Sequence, residues 1–303
     1  MIEDALAGIA ADHDRGAAEL ADDGLRLLAQ ALGDSRAPSG EALLAEAAGL
    51  VRRLAELRPS MAGLGNWAVA YYAALRERLA VAKTVEPKLC DTVLAELLDR
   101  KAAQRDALVA AACPVLAGAG CIVTLSHSST VEAVLADAAP QHCRIVVAES
   151  RPRLEGRRLC AALEAAGRRV RCITDAQIGL ALDGADMALF GADAVLADLG
   201  VVNKTGSLFA ALAARAAGKP CYVACDGFKI DPRHTSHDAR LEAMEGGEVW
   251  PERAEICDNV YFEIVPGAYV DLYLTEKGAL AAAAMRDEIA ARAALWRDAG
   301  LSP

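Results

Sequence analysis

Hydrophobic positions in the first third of the chain recur at helical spacing. In GAAELADDGLRLLAQAL (16–32) and EALLAEAAGLVRRLAEL (41–57), Leu and Ala fall at i, i+3, i+4 and i+7, with acids and arginines on the other face. That is the pattern of helices packed by one side. Polar or Gly/Pro segments punctuate it at GDSRAPSG (33–40), RPSMAGLG (58–65) and VEPK (85–88). Residues 1–112 are therefore predicted to form a helical N-terminal domain.

After ACPVLAGAG (112–120) short apolar runs alternate with amphipathic segments, as in repeated βαβ units. The predicted strands are CIVTLS, RIVVAES, VRCIT, MALFGA, PCYVAC and YVDLYLTE. Between them SSTVEAVLADAA, EGRRLCAALEAAG, DAQIGLAL and GSLFAALAARAAG have helical length and period. Connections this short make the sheet mainly parallel, with its ligand crevice at the C-terminal ends of the strands. The fold class expected is α/β, a helical N-terminal lobe followed by a Rossmann-like α/β domain over 113–303.

Composition narrows the function classes. The chain has 303 residues, 54% hydrophobic and only 4% aromatic, and a formal charge of −10. Bulk attraction to nucleic acid is thereby disfavoured, so any anion site must be local. Glu3, Asp4, Asp12, Asp14 and Glu19 among the first twenty residues do not fit a secretory signal. No apolar run approaches the roughly 18 residues that span a bilayer. Nine cysteines without a CxxC pair read as reduced thiols of a cytoplasmic protein. Cys221 and Cys225 lie along a strand, and His234 and His237 sit in the polar stretch DPRHTSHD. Neither pair is expected to hold a metal. No cofactor is expected: GxGxxG, GxxxxGK[ST] and GxSxG are all absent.

Three strand ends carry candidate chemistry. In TLSHSSTVE (124–132), Ser126, His127, Ser128, Ser129 and Thr130 precede a helix, where hydroxyls and free amides suit a phosphate and where Ser128 or Ser129 equally suits an N-cap. In GADAVLADLGVVNKTGS (191–207), one loop system is expected to bring Asp193 for proton transfer, and Asn203 and Lys204, with the helix start near Gly206, for an anion. Lys204 is read here as an exposed loop lysine. In CDGFKIDPR (225–233), Lys229 stands at the same end of the sheet. Arg151 of ESRPRLEGRRL either reaches a ligand or pairs with Glu149, and the pairing is favoured.

At these residues the chain resembles the family that joins the alpha, beta and delta regulatory subunits of initiation factor 2B to ribose-1,5-bisphosphate and methylthioribose-1-phosphate isomerases. The resemblance rests on GAD, GVVNKTGS, KPCYVAC and FK, with RGAAELA, RPSMAGLGN, ESRPRLEG and PGAYVDLYLTEKG in the family's order. It implies binding of a phosphorylated sugar and assembly into homodimers or larger homo-oligomers, while the charge and the lack of a spanning apolar run argue against nucleic acid and membrane as partners. It further implies phosphate contacts at Arg15, Gly16, Ala17 and Arg58, an acid at Asp193, an Asn-Lys pair at Asn203 and Lys204, and a later lysine at Lys229. Where the isomerases resemble Thr-His-Cys, this chain has Thr124, Leu125 and Ser126. Two functions are consistent with that change: an aldose-ketose isomerase acting on a ribose 1-phosphate-type sugar, with Ser126 or His127 in the place of the thiol, and a noncatalytic sugar-phosphate sensor or assembly subunit.

Overall fold

A computed structural model of the chain describes residues 2–81 and 88–301; of the VEPK punctuation, Val85, Glu86 and Pro87 lie outside the described residues. Five helices come first: α1 Ile2–Ala11, α2 Ala17–Gly33, α3 Gly40–Leu57, α4 Ala62–Val81 and α5 Leu89–Leu116. Ser39 starts α3 by accepting the Ala42 amide at 3.2 Å, which satisfies an otherwise orphaned donor. The first turns of α4, from Ala62 to Val69, are buried without interruption. This helix is therefore interior rather than amphipathic.

The alternating region follows as β1 Cys121–Leu125, α6 Ser129–Ala133 with a π-type turn over Val134–Ala138, β2 Arg144–Ala148, α7 Glu155–Ala165 and β3 Arg169–Ile173. Then come α8 Ile178–Asp183, β4 Met187–Gly191, β5 Ala194–Leu196, β6 Val201–Lys204 and α9 Ser207–Ala216. The chain continues through β7 Cys221–Ala224, β8 Ile230–Asp231, β9 Phe262–Val265, β10 Leu272–Thr275 and β11 Gly278–Leu280 to α10 Ala282–Asp298. The large sheet has the order β11-β10-β7-β4-β1-β2-β3, parallel except for β11. The chain reverses its direction of travel across the sheet between β1 and β4. Their C-terminal ends thus open the switch-point crevice of a doubly wound α/β fold. All six strands expected from the sequence are present in this sheet.

A second, four-stranded sheet of order β8-β5-β6-β9 corrects the expected loop over 191–207, which is a hairpin, with β5 antiparallel to β6. The Leu196 amide donates to the Gly200 carbonyl and closes the turn. Ala194, Leu196 and Val202 from this sheet lie in the same buried core as α1–α4, together with Trp296 and Leu301 at the C-terminal end. α5 runs through residue 112. Its Leu89, Val93 and Leu97 pack in the helical core, and its Leu108, Ala112 and Leu116 pack under the large sheet. Among the described residues no helix is long and apolar enough to cross a membrane.

At Gly156 the start of α7 comes close to β2. A Cβ there would stand 2.0 Å from the Ala148 carbonyl oxygen, inside backbone that cannot move alone. Gly156→Ala is expected to destabilise the protein by about 1–3 kcal/mol, as overpacking does. Urea unfolding that superposes on wild type would show that α7 is not held against β2 in this way.

Candidate functional site

A cleft of about 310 Å³ lies at the switch point, walled by the ends of β1 and β4, the start of α2, the α3–α4 turn, the β5–β6 hairpin and the turn at Lys229. On the β1 side, Ser126 has φ of 60°, a left-handed conformation uncommon for a residue with a Cβ. Its amide donates to Ser150 Oγ at 2.8 Å, at the end of β2. His127 Nε2 lies 2.8 Å from Glu132 Oε2 and is thereby tied to its own helix. Ser128 caps α6, accepting the Val131 amide at 3.4 Å. It packs over Gly191 at the end of β4, where a Cβ would come 2.9 Å from the Ser128 hydroxyl. All three serve local structure while lining the cleft.

Asp193 sits opposite, immediately before β5. Its amide donates to the Val202 carbonyl at 2.8 Å, and its carbonyl accepts the Ala62 amide at 3.1 Å, at the start of α4. The carboxyl lies deep in the protein with part of its surface open to the cleft. Burial raises its proton affinity above the ordinary carboxyl range, and Glu242 adds to the rise. Lys229, Arg58 and Lys204 oppose it without cancelling it.

The expected loop pair Asn203 and Lys204 forms the end of β6 and is buried. Asn203 Nδ2 donates to Ser207 Oγ at 2.7 Å. Lys204 corrects the reading of an exposed lysine, because its ammonium donates to Glu155 Oε1 at 2.8 Å and lies 4.3 Å from the centre of the Tyr261 ring. Lys229 closes a 3-10 turn, Gly227–Lys229. Its ammonium makes no hydrogen bond or ion pair among the described residues, so its charge remains directed at Asp193 and the cleft.

The N-terminal wall brings Arg15, Gly16 and Ala17 to the cleft at the start of α2. Arg15 is held by Asp12 at 2.6 Å and Asp23 at 2.7 Å and keeps 40% of its side-chain surface exposed. Arg58 is buried. Its Nη1 donates to the Asp12 carbonyl, and its Nε faces Glu242 at 3.5 Å without a hydrogen bond.

Two expectations fail. Arg151 does not line the cleft and does not pair with Glu149. Ser150, with φ of 60°, turns the chain so that Arg151 Nη2 donates to the Val249 carbonyl at 3.1 Å, while Arg157 takes Glu149 at 2.6 Å. The helix start near Gly206 is also closed to a ligand. Glu263 Oε1 already accepts the Gly206 and Leu208 amides at 2.7 and 2.8 Å, an internal anion at the positive end of α9.

The sequence reading did not single out Arg153, Glu155, Arg158 and Tyr261, all of which line the cleft. Burial and a bond to Glu248 push the Tyr261 phenol up to about 12, so it stays a neutral donor. The signal for Arg153 and Glu155 was their place two and four residues beyond Arg151 in a turn that doubles back. Elsewhere, Cys221 and Cys225 are buried outside the cleft, and burial pushes the Cys221 thiol up to about 12. His234 lies 2.9 Å from Asp231 in the loop after β8, and His237 is exposed. No cluster of three metal-ligating side chains occurs among the described residues.

Because Lys204 is buried against Glu155, removing it strands a carboxylate that is itself mostly buried. Lys204→Ala is expected to cost roughly 1–3 kcal/mol of stability. Unfolding in denaturant checks this, and an unchanged midpoint would return Lys204 to the status of a solvated charge.

Comparison with known proteins places this cleft in context. The model of the initiation factor 2 subunit family matches residues 13–282. A ribose 1,5-bisphosphate isomerase of Haloferax volcanii is 33% identical over 276 residues, covering 87% of this chain and 84% of that protein. A putative translation initiation factor eIF-2B subunit 2-like protein of Pyrococcus furiosus is 30% identical over 231 residues, covering 76% and 79% respectively. The solved translation initiation factor eIF-2B of Pyrococcus horikoshii OT3 superposes with a TM-score of 0.78 at 26% identity, over 93% of this chain and 97% of that one. Matched across both lobes and the cleft between them, the chain belongs to the initiation factor 2 subunit family.

Proposed function

We propose that the cleft binds an aldose phosphorylated on its anomeric oxygen and isomerises it to the ketose, with Asp193 as the acid. The observation that carries this reading is the Asp193 carboxyl, biased by burial toward its protonated form in a wall that also presents Lys229. A sugar 1-phosphate cannot open by mutarotation, because phosphate blocks the anomeric oxygen. An acid at the ring oxygen opens it instead.

In this reading Asp193 gives its proton to the ring oxygen, and the bond from that oxygen to the anomeric carbon breaks. The hydrogen on the neighbouring carbon then moves with its electron pair to the anomeric carbon. The hydroxyl on the neighbouring carbon becomes the ketone and returns its proton to Asp193. One acid–base group suffices. That fits a β1 side on which the Ser126 hydroxyl makes no hydrogen bond to a base among the described residues and His127 is engaged by Glu132. Arg15, Arg58 and Lys229 would meet the phosphate, as the resemblance implies. The relative named ribose 1,5-bisphosphate isomerase supports a pentose with a second phosphate as substrate. The reading includes a homo-oligomeric assembly, which light scattering on the purified protein measures.

The second reading, a noncatalytic sugar-phosphate sensor or assembly subunit, is favoured by Ser126 at the position where the resembling isomerases have a thiol. A hydroxyl stays protonated where a thiol can be tuned to a thiolate.

Incubation with ribose 1,5-bisphosphate and with methylthioribose 1-phosphate, followed by ketose detection, separates the two. Turnover is expected, with deuterium placed on the carbon next to the anomeric centre carried to the anomeric carbon of the product rather than lost to solvent. It should fall as pH rises through the Asp193 titration, since the acid form is the active one. Asp193→Asn is expected to lower the rate roughly 10²–10⁴-fold while the phosphorylated sugar still raises Tm. A phosphorylated pentose that raises Tm without any ketose would establish the noncatalytic reading.

The Ser126→Cys variant tests whether a base is missing. If catalysis runs through Asp193 alone, the added thiol leaves the rate within a few-fold of wild type. A large gain, with Asp193 still required, would show that proton abstraction from the β1 side limits the reaction and would overturn the single-group route.

A further inference from the structure

Behind the cleft wall, outside the residues that line it, stands a carboxylate with no hydrogen bond. Both oxygens of Glu242 are buried and unpartnered, as is the Arg58 Nε that faces them at 3.5 Å. A carboxylate whose task was to hold Arg58 in place would take its guanidinium hydrogens, yet the bond Arg58 makes goes from Nη1 to the Asp12 carbonyl. An ion pair this buried, without hydrogen bonds to offset desolvation, is a poor source of stability. What remains at short range in a poorly screened interior is its field.

The chain holds Glu242 firmly in that place. Leu241 and Met244 pack against the helical core, Ala243 bridges Val260, and the Met244 amide donates to the Asn259 carbonyl at 2.9 Å. The charges that face Asp193 come from four elements: Lys229 from its turn, Arg58 from the α3–α4 turn, Lys204 from β6 and Glu242 from this strap. Three are cations, and all three favour the ionised carboxylate. Glu242 is the single acid among them.

We propose that Glu242 is a positioning residue of the cleft, acting through Arg58 to offset the cationic field on Asp193 and so keep that carboxyl available as an acid. The proposal rests on the reading of Asp193 given above and extends it to the residue that sets its working state. With Glu242 neutral, Arg58, Lys229 and Lys204 act on Asp193 uncompensated and draw its proton off at lower pH. The direction agrees with the causes of the Asp193 shift, in which Glu242 raises proton affinity and the three cations lower it.

The test is Glu242→Gln in the full chain, with the side-chain carboxyl of Asp193 followed by NMR on isotope-labelled aspartate and assigned by its loss in Asp193→Asn. The titration of Asp193 is expected to move to lower pH, and with ribose 1,5-bisphosphate as substrate the basic limb of kcat/KM should move with it. Glu242→Asp keeps the charge and should restore most of the wild-type titration. Should Glu242→Gln fail to fold, Glu242→Ala removes the same charge and carries the test, with a shift in the same direction. An Asp193 titration that does not move in a folded variant lacking the Glu242 charge overturns the proposal. A titration that moves in a protein turning over neither sugar phosphate sustains the role of Glu242 and removes the isomerase reading instead.

Discussion

The buried amide of Asn66 joins three parts of the chain that lie far apart in the sequence. Its Nδ2 donates to the carbonyls of Phe228 and Ile230, both at 2.7 Å, and its Oδ1 accepts Trp296 Nε1 at 2.8 Å. Lys229 is the residue between those two carbonyls. Four residues earlier on α4, the Ala62 amide binds the Asp193 carbonyl. One helix therefore sets the main chain at both Asp193 and Lys229. The ring of Trp67 stacks on Phe228 with centroids 3.6 Å apart, which adds apolar contact to a polar junction whose members are satisfied. Such networks specify geometry more than they add stability.

Around that junction most of the cleft's cations are held by acids in and behind its walls. Arg15 has Asp12 and Asp23, Lys204 has Glu155, Arg153 has Asp14 and Glu248, and Arg58 has Glu242. This explains how a chain with a formal charge of −10 can carry so many cations at one crevice. Acids of the same protein hold them until a competing anion arrives. On the function proposed above, a phosphate would gain from Lys229 and Arg158 directly and share the other cations with their internal partners. Selectivity then rests on geometry and hydrogen bonding rather than on long-range attraction.

The βαβ alternation was legible because most strands of the large sheet are short apolar runs bounded by turn residues, and period and length suffice for that; the three-residue β11 was not foreseen. The β5–β6 hairpin was not, because Ala194–Leu196 and Val201–Lys204 are three and four residues long and look like loop between a strand and a helix. The cleft residues were legible where a strand end supplied them, as with Ser126, Asp193 and Lys229. What could not be read was pairing. Whether Glu149 takes Arg151 or Arg157, or whether the start of α9 is open or filled by Glu263, depends on residues brought from far along the chain. Spacing says nothing of them. Glu242 is the extreme case, a carboxylate in a polar strap that acquires meaning only through Arg58, which lies on the other lobe.

Relatives of this chain carry the names of an isomerase and of translation initiation factor subunits, so the shared fold does not choose between them. The energetics of Asp193 bear on that choice. A carboxyl whose proton affinity is raised by folding contributes stability that is fully present only below its ordinary titration range. That contribution is lost as pH rises through the higher, folded value. At neutral pH the folded chain thus bears a cost that an asparagine at the same position would avoid. In a protein that only binds a phosphate, a buried acid beside the cations offsets their mutual repulsion but opposes the ligand whenever it ionises. A protein that must protonate a ring oxygen needs that group, and needs it where water cannot readily take the proton. The burial of Asp193 beside three cations is thus the feature on which the isomerase reading proposed above rests, and the one that a purely binding protein needs least.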